Sequence, residues 1–260
     1  MANDYESFMS QVYKLTSIDL TAYKEKQMRR RIDTLINKHK CKGYDDFVAQ
    51  LKTDKALFEE FVNYLTINVS EFYRNTDQWA LMDKEYIPEL IKRFGQNLKV
   101  WSAACSTGDE PYSLVMALSR HIPLNKIKII ATDLDKQVMA QAKTGLYAAK
   151  SVAGVPKDLK DKYFTKVGPS YQISNEIKSR VEFKEHNLLK DPYIKGCHFI
   201  VCRNVLIYFT DEAKETIYQK FYDSLMPGGL FFIGSTEQIV NHKKFGYERR
   251  NSFYYQRPAN

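Results

Sequence analysis

The sequence predicts a bundle of short helices followed by an open α/β domain on a mostly parallel sheet. Three observations carry this. The first 75 residues place apolar side chains at helical spacing and contain no convincing strand. From residue 98 onward, short apolar runs alternate with helix-like stretches. One span, about 145–182, breaks that alternation. With 260 residues, 44% of them hydrophobic, each part has material for a core, which excludes a disordered chain or a disulfide scaffold.

In the helical part, Tyr5, Phe8, Met9, Val12 and Tyr13 share one face. A second helix over about 22–40 carries Met28, Ile32, Leu35 and Ile36 on one side. A third and a fourth follow over 44–52 and 55–65, with Asp45 or Asp46 suited to cap the third and Asp54 the fourth. Strands are predicted at 98–104, 127–132, 181–183, 198–202, 230–234 and 253–256. Helix-like stretches at 110–120, 136–144 and 211–225 lie between them. Strand, helix, strand at this spacing argues parallel pairing with helices on both faces. The irregular span is too long for a plain loop, so it reads as an inserted hairpin or small antiparallel sheet. Pro227-Gly228-Gly229 reads as a structural turn before the fifth strand.

Lys and Arg number 39 against 31 Asp and Glu, a net charge of +8, which favours an acidic partner without choosing one. Cys41, Cys105, Cys197 and Cys202 are too scattered for a zinc site, and the five histidines form no HExxH, so no metal is assigned. The start lacks a signal-peptide pattern and no stretch approaches 18 apolar residues, so a cytoplasmic protein with free thiols is expected, with no membrane insertion.

The informative loop is WSAACSTGDE, residues 101–110. Small residues between a strand and a helix sit where an open α/β sheet takes its ligand. A pyrophosphate cofactor wants G-x-G-x-x-G, yet only Gly108 is present, and Asp109 and Glu110 would repel phosphate. No P-loop is present either. Asp133, ending the second strand, suits a ribose diol; Asp135 is the alternative, or a cap for the next helix. Asn187 and Leu188 follow the third strand and suit an adenine edge and face. Asn204 follows the fourth strand and suits the amino-acid part of a nucleoside-linked ligand. A diol acceptor, adenine contacts and small residues without a phosphate nest point to S-adenosylmethionine rather than NAD.

These residues bring a family into view. Asn68–Arg74 (NVSEFYR), WSAACSTGDEPYS over 101–113, ATDLD over 131–135, Asn187-Leu188-Leu189, CRNVLIYF over 202–209 and MPGGL over 226–230 together resemble the bacterial chemotaxis receptor glutamate methyltransferases. The resemblance spans nearly the whole chain. It implies a Rossmann-like class I methyltransferase domain with a small inserted antiparallel β-subdomain, preceded by an all-helical domain. It implies a helical, receptor-docking domain over 1–75, and a cofactor domain over 76–260 with its insertion at about 145–182. Carried over residue by residue, it implies cofactor contacts at Asn68, Ser70, Arg74, Glu110, Asp133, Asn187, Leu188, Asn204 and Val205, and catalytic roles for Arg74 and Tyr208. The family commonly reads N-x-T-x-F-F-R in the first stretch; here Ser70 keeps the hydroxyl and Tyr73 replaces a Phe.

The implied reaction moves a methyl group from the sulfonium to a glutamate oxygen, leaving S-adenosylhomocysteine. A glutamate with an ordinary pKa near about 4.3 is already ionised at neutral pH and needs no general base. Alignment and desolvation are left to do the work. Arg74 offers a rigid fork to hold the acceptor carboxylate, and Tyr208 is the second candidate. The 22–40 helix carries seven basic residues (Lys24, Lys26, Arg29, Arg30, Arg31, Lys38, Lys40) against Glu25 and Asp33. The implied partner is the helical cytoplasmic domain of transmembrane chemoreceptors, met at receptor arrays through this helix. In some members the β-subdomain grips a pentapeptide at the receptor's C-terminus and in others it does not, so it stands as a second candidate contact. Lys143, Lys150, Lys157, Lys160, Lys162 and Lys166 make that region basic too. An RNA or DNA methyltransferase is the rival, but CRNVLIY stands where a base-methylating [ND]PP[YF] would lie, so no nucleic acid is expected. A non-enzymatic adenosyl-ligand sensor is the second rival.

Overall fold

The structure is a computed structural model and describes residues 2–259. Met1 and Asn260, the outermost residues of the two expected domains, lie outside it. The chain divides into two compact units: one runs up to Asn68 and adds Leu206–Ile217, and the other holds Val69–Val205 and the chain from Tyr218 onward.

The first unit holds helices α1 (Ala2–Thr16), α2 (Glu25–Lys38), α3 (Tyr44–Thr53) and α4 (Lys55–Thr66). Its core is aromatic: Phe8, Phe47 and Phe61 are fully buried, and the rings of Phe47 and Phe61 meet edge-on at 5.4 Å. Met28, Ile32, Leu35 and Ile36 form the buried stripe of α2, as their spacing predicts. Tyr13 departs from its expected face and is 46% exposed. Asp54 caps α4, its carboxylate accepting the Leu57 N–H at 3.0 Å. The expected aspartate cap of α3 is absent. Gly43 stands at that position, and Asp46 instead accepts the Lys42 N–H at 2.8 Å. The short turn Leu206–Tyr208 belongs to this unit, where the Lys24 N–H donates to the Tyr208 carbonyl at 2.9 Å.

The second unit opens with α5 (Thr76–Leu81), which passes through a π-helical turn into α6 (Ile87–Phe94). The sequence reading assigns no element to 76–97. Trp79, Met82, Tyr86, Ile87 and Leu90 are nevertheless buried at helical spacing, and the widened turn precedes Pro88, whose ring cannot fit an unbroken α-helical ladder. Then come β1 (Val100–Ala103), α7 (Asp109–Leu118), β2 (Ile129–Asp133), α8 (Lys136–Thr144), β3 (Leu146–Ala148), α9 (Lys157–Tyr163), β4 (Phe164–Val167), β5 (Ser170–Ile173) and α10 (Asn175–Lys178). β6 (Val181–Glu185), β7 (Cys197–Cys202), α11 (Asp211–Ser224), β8 (Leu225–Ile233), β9 (Glu248–Arg249) and β10 (Tyr254–Gln256) complete the chain.

Seven strands form one sheet in the order β6-β2-β1-β7-β8-β10-β9. β6 through β8 run parallel, and β10 pairs antiparallel to both β8 and β9. The order reverses beside β1, so loops after β1, β2 and β7 converge on one rim. The irregular span forms a separate three-stranded antiparallel sheet, β3-β5-β4. Pro227-Gly228-Gly229 corrects the sequence reading: it lies inside β8, not before it. The β7–β8 register slips there, Gly228 takes φ +83°, and a Cβ on Gly229 would stand 3.1 Å from the Cys197 and His198 carbonyls.

The unit boundary falls at Asn68, earlier than the expected division at residue 75. The reason is packing. The Phe72 ring meets Tyr147 and Phe164 edge-on at 4.7 and 5.2 Å, and Phe72 and Tyr73 belong to the second unit's core.

Candidate active site

The loop between β1 and α7 coils tightly because Ala104, Ser106 and Gly108 all take positive φ. At Gly108 (φ +87°) a Cβ would sit 2.7 Å from the Ala142 Cβ, so only glycine lets α7 start this close to α8. The coil turns the Ser106 N–H onto Asp133 Oδ2 at 2.7 Å, while Asp133 Oδ1 accepts the Asp135 N–H at 3.0 Å. Burial pushes the Asp133 carboxyl up to about 6, against those backbone donors. Asp135 is the cap of α8, accepting the Gln137 N–H at 2.8 Å and the Val138 N–H at 3.4 Å.

The two acids at the start of α7 have different environments. Asp109 is fully buried and ties three segments together, accepting hydroxyl hydrogens from Thr107 at 2.6 Å, Ser151 at 2.8 Å, and Ser70. The Ser70 hydroxyl thus meets Asp109. Burial raises the Asp109 carboxyl. Asp109 is thus taken up by hydroxyls inside the fold, and of the two acids it is Glu110 that keeps part of its side chain open. Glu110 keeps 13% of its side chain exposed, accepts the Ser102 hydroxyl at 2.8 Å and faces Arg203 at 3.8 Å. Burial pushes it up to about 7, with Arg203 and Arg74 pulling the other way.

Arg74 lies between Tyr73 and Asn75, both left-handed at φ +52° and +64°. This twist is locked on several sides. The Tyr73 N–H donates to Ser113 Oγ at 3.1 Å, and the Arg74 carbonyl accepts from Trp79 Nε1 at 3.0 Å and Arg203 Nη2 at 2.8 Å. The Arg74 guanidinium donates to the Val69 carbonyl at 3.3 Å.

Asn187 folds the loop after β6: its Oδ1 accepts the Leu189 N–H at 2.9 Å and its own N–H donates to Asp191 at 2.7 Å. Leu188 is buried beside it. Asn204 is left-handed (φ +60°); its N–H donates to Glu237 at 2.9 Å and its side-chain amide to Thr236 at 3.2 Å. Its Oδ1 is buried with no partner. Half-buried Val205 follows. Glu237 was not foreseen. It clamps the ends of β7 and β8 by accepting N–H groups of both Asn204 and Gly234, and an isolated glutamate after a strand carries no sequence signal for that. The two remaining residues belong to the first unit. The Asn68 amide donates to Thr66 Oγ1 at 2.8 Å, and Tyr208 lies in the turn described above.

The rim is thus rich in acceptors: Asp133, Glu110, and the orphaned Asn204 Oδ1. That set fits a ligand bearing a diol, an amino group and a positive sulfur, and it is wrong for phosphates. Among the described residues no group of His, Cys, Asp and Glu could hold a metal ion, and no helix is long and apolar enough to cross a membrane.

Fold and rim define a methyltransferase domain that uses S-adenosylmethionine. The family model described as the CheR methyltransferase SAM-binding domain matches residues 68–253, and the all-alpha CheR domain matches 3–66. The chain belongs to the CheR methyltransferase family. A chemotaxis protein methyltransferase of Listeria innocua is 42% identical over 255 residues, covering 98% of this chain and 97% of that protein. Chemotaxis protein methyltransferase 1 of Pseudomonas aeruginosa is 35% identical over 250 residues, covering 92% and 91%. A chemotaxis protein methyltransferase of Borreliella burgdorferi is 28% identical over 249 residues, covering 91% and 88%.

Proposed function

We propose that Arg74 holds the acceptor carboxylate, and that the rim of Glu110, Asp133, Asn187, Leu188, Asn204 and Val205 holds the methyl donor, in an enzyme that methylates glutamate side chains of chemotaxis receptors. Membership of the family supports the reaction; the acceptor-rich rim supports the assignment of residues. The single observation that carries it is the twisted Arg74 segment fixed beside the ionisable Glu110.

S-adenosylmethionine, when bound, supplies an electrophilic methyl group on a sulfonium. Asp133, held by two backbone N–H groups, presents lone pairs to a ribose diol. Glu110 and the orphaned Asn204 Oδ1 accept from the cofactor's amino group. Asn187 and Leu188 border the base. Asn68, Ser70 and Arg74 complete the expected set, with Ser70 acting through Asp109. Arg74 orients the ionised acceptor by its two-pronged fork, and family membership alone keeps Tyr208 as the second catalytic candidate. No residue has to remove a proton, so catalysis is positioning.

The receptor's cytoplasmic helices meet α2, and the enzyme works in the cytoplasm at receptor arrays. The basic face is narrower than the sequence count. Arg31 lies over the Tyr64 ring at 4.4 Å and donates to the Tyr64 carbonyl, Arg29 lies over Tyr5 at 4.9 Å, and Lys38 pairs with Glu60. Lys24, Lys26, Arg30 and Lys40 are exposed, and they are the better docking charges. In and beside the insertion, Lys160 and Lys162 lie over Tyr171 and Tyr163 and Lys157 pairs with Asp161, so exposed Lys143, Lys150 and Lys166 make the second candidate contact.

The test is transfer of labelled methyl to chemoreceptor-rich membranes by Arg74→Ala and Arg74→Lys. Alanine should abolish transfer, and lysine should restore a small fraction, because a point charge replaces the fork. Native rates in the alanine variant would remove Arg74 from the reaction.

A further inference from the structure

We propose that Arg203 is a positioning residue for methyl transfer: its guanidinium clamps the Arg74–Asn75 segment and the Glu110 carboxylate into one fixed arrangement. The proposal rests on the reading of Arg74 and Glu110 given above. Arg203 directly follows β7, so the sheet fixes its backbone. Its side chain is only 4% exposed. Nη2 donates to the Arg74 carbonyl and to Asn75 Oδ1, both at 2.8 Å, and Nη1 faces Glu110 Oε2 at 3.8 Å. The guanidinium lies over the Phe232 ring at 4.6 Å, which fixes its tilt.

As a source of stability this arrangement is poor. A buried charge demands good pairing, yet the Glu110 contact is long and Arg203 Nε is buried with no partner. As a clamp it is good. Asn75 and Tyr73 are left-handed, so the backbone carrying Arg74 needs external support, and one planar fork reaches both its carbonyl and its neighbour's side chain. The same group favours the charged form of Glu110 against the burial that raises it. The groups around that carboxylate are Ser102 on β1, Arg74, Arg203, Glu237 after β8, the buried thiols of Cys105 and Cys202, and the Tyr254 phenol. Of these, only Arg203 and Arg74 are cations.

The experiment measures S-adenosylhomocysteine binding against pH, together with kcat on chemoreceptor-rich membranes, using the full chain. In the native protein affinity should rise as pH passes about 7, to which burial pushes Glu110. Arg203→Met should move that rise upward by about one pH unit or more and lower kcat about a hundredfold through misplacement of Arg74. Arg203→Lys should restore the pH profile, because the charge returns, but not kcat, because the fork does not. A bystander whose loss merely loosened the fold would not separate the two readouts. A folded Arg203→Met variant with the native pH profile, or with kcat within about threefold of native, overturns the proposal. Asn75→Gly guards against a variant that fails to fold. It keeps the left-handed backbone, deletes one acceptor, and should lower kcat about tenfold at unchanged affinity; native kcat there also overturns the clamp. Full activity in Arg74→Ala beside a shifted Arg203→Met profile would instead fault the reading of Arg74 alone.

Discussion

Glu110 and Asp133 are carboxyls raised by burial to about 7 and about 6, and the sign of their effect can be worked out. In the unfolded chain both release their protons near about pH 4. Between there and their folded values the native state holds more protons, so their contribution to stability falls as pH rises through that window. Glu110→Gln should therefore flatten the decline of Tm from pH 5 to about 7, measured by thermal unfolding. Ligand binding runs the other way, because the site needs the charged form. S-adenosylhomocysteine should bind about tenfold more tightly at pH 8 than at about pH 6, by calorimetry. Asp133→Asn should weaken binding by about 2 kcal/mol, the worth of a charge-assisted bond to a hydroxyl, with little change in fold. Asp133 was legible in the sequence because it ends a strand, and Glu110 because it opens the helix after the small-residue loop. The inward turn of Asp109, its bond from Ser70, and the clamp roles of Arg203 and Glu237 were not, because they depend on side-chain contacts between segments distant in the chain.

Helices and strands with a clear apolar period stood out in the sequence: α2, α4, α8, β1, β2 and β7 lie close to their expected places. The π turn before α6 did not, since no apolar period was read over 76–97, and neither did the bulge within β8, since Pro227-Gly228-Gly229 read as a turn while the surrounding core kept the strand continuous. Local chemistry sets the predictions at this scale. Asp54→Ala should cost about 1 kcal/mol in chemical denaturation through loss of the α4 cap. Gly108→Ala should weaken S-adenosylhomocysteine binding, because a Cβ there meets the Ala142 Cβ at 2.7 Å and must displace the cofactor loop or α8. On α2, reversing Lys26 and Arg30 to Glu should reduce methylation of receptors with little change in cofactor affinity. Reversing Arg31 should destabilise the helical unit instead, since Arg31 packs on Tyr64. A methylation loss confined to the Arg31 variant would count against α2 as the docking face.

For the whole molecule, family and reaction rest on motifs spread from residue 68 to residue 230 and on matches that cover both the helical and the cofactor-binding parts. The division into two units was legible as a change from helical to alternating periodicity. Its position was not, because Phe72 and Tyr73 look like the end of a helical segment until they are seen packed in the second unit's core. The net charge of +8 never named the partner, and the structure narrows α2's share of it to a few exposed side chains. The central claim is that the acceptor is a glutamate side chain. The most direct measurement incubates the protein with methyl-labelled S-adenosylmethionine and chemoreceptor-rich membranes, then treats the products with base. A glutamate methyl ester releases its label as methanol; label that stays on RNA, on DNA, or on protein through a base-stable bond contradicts the account.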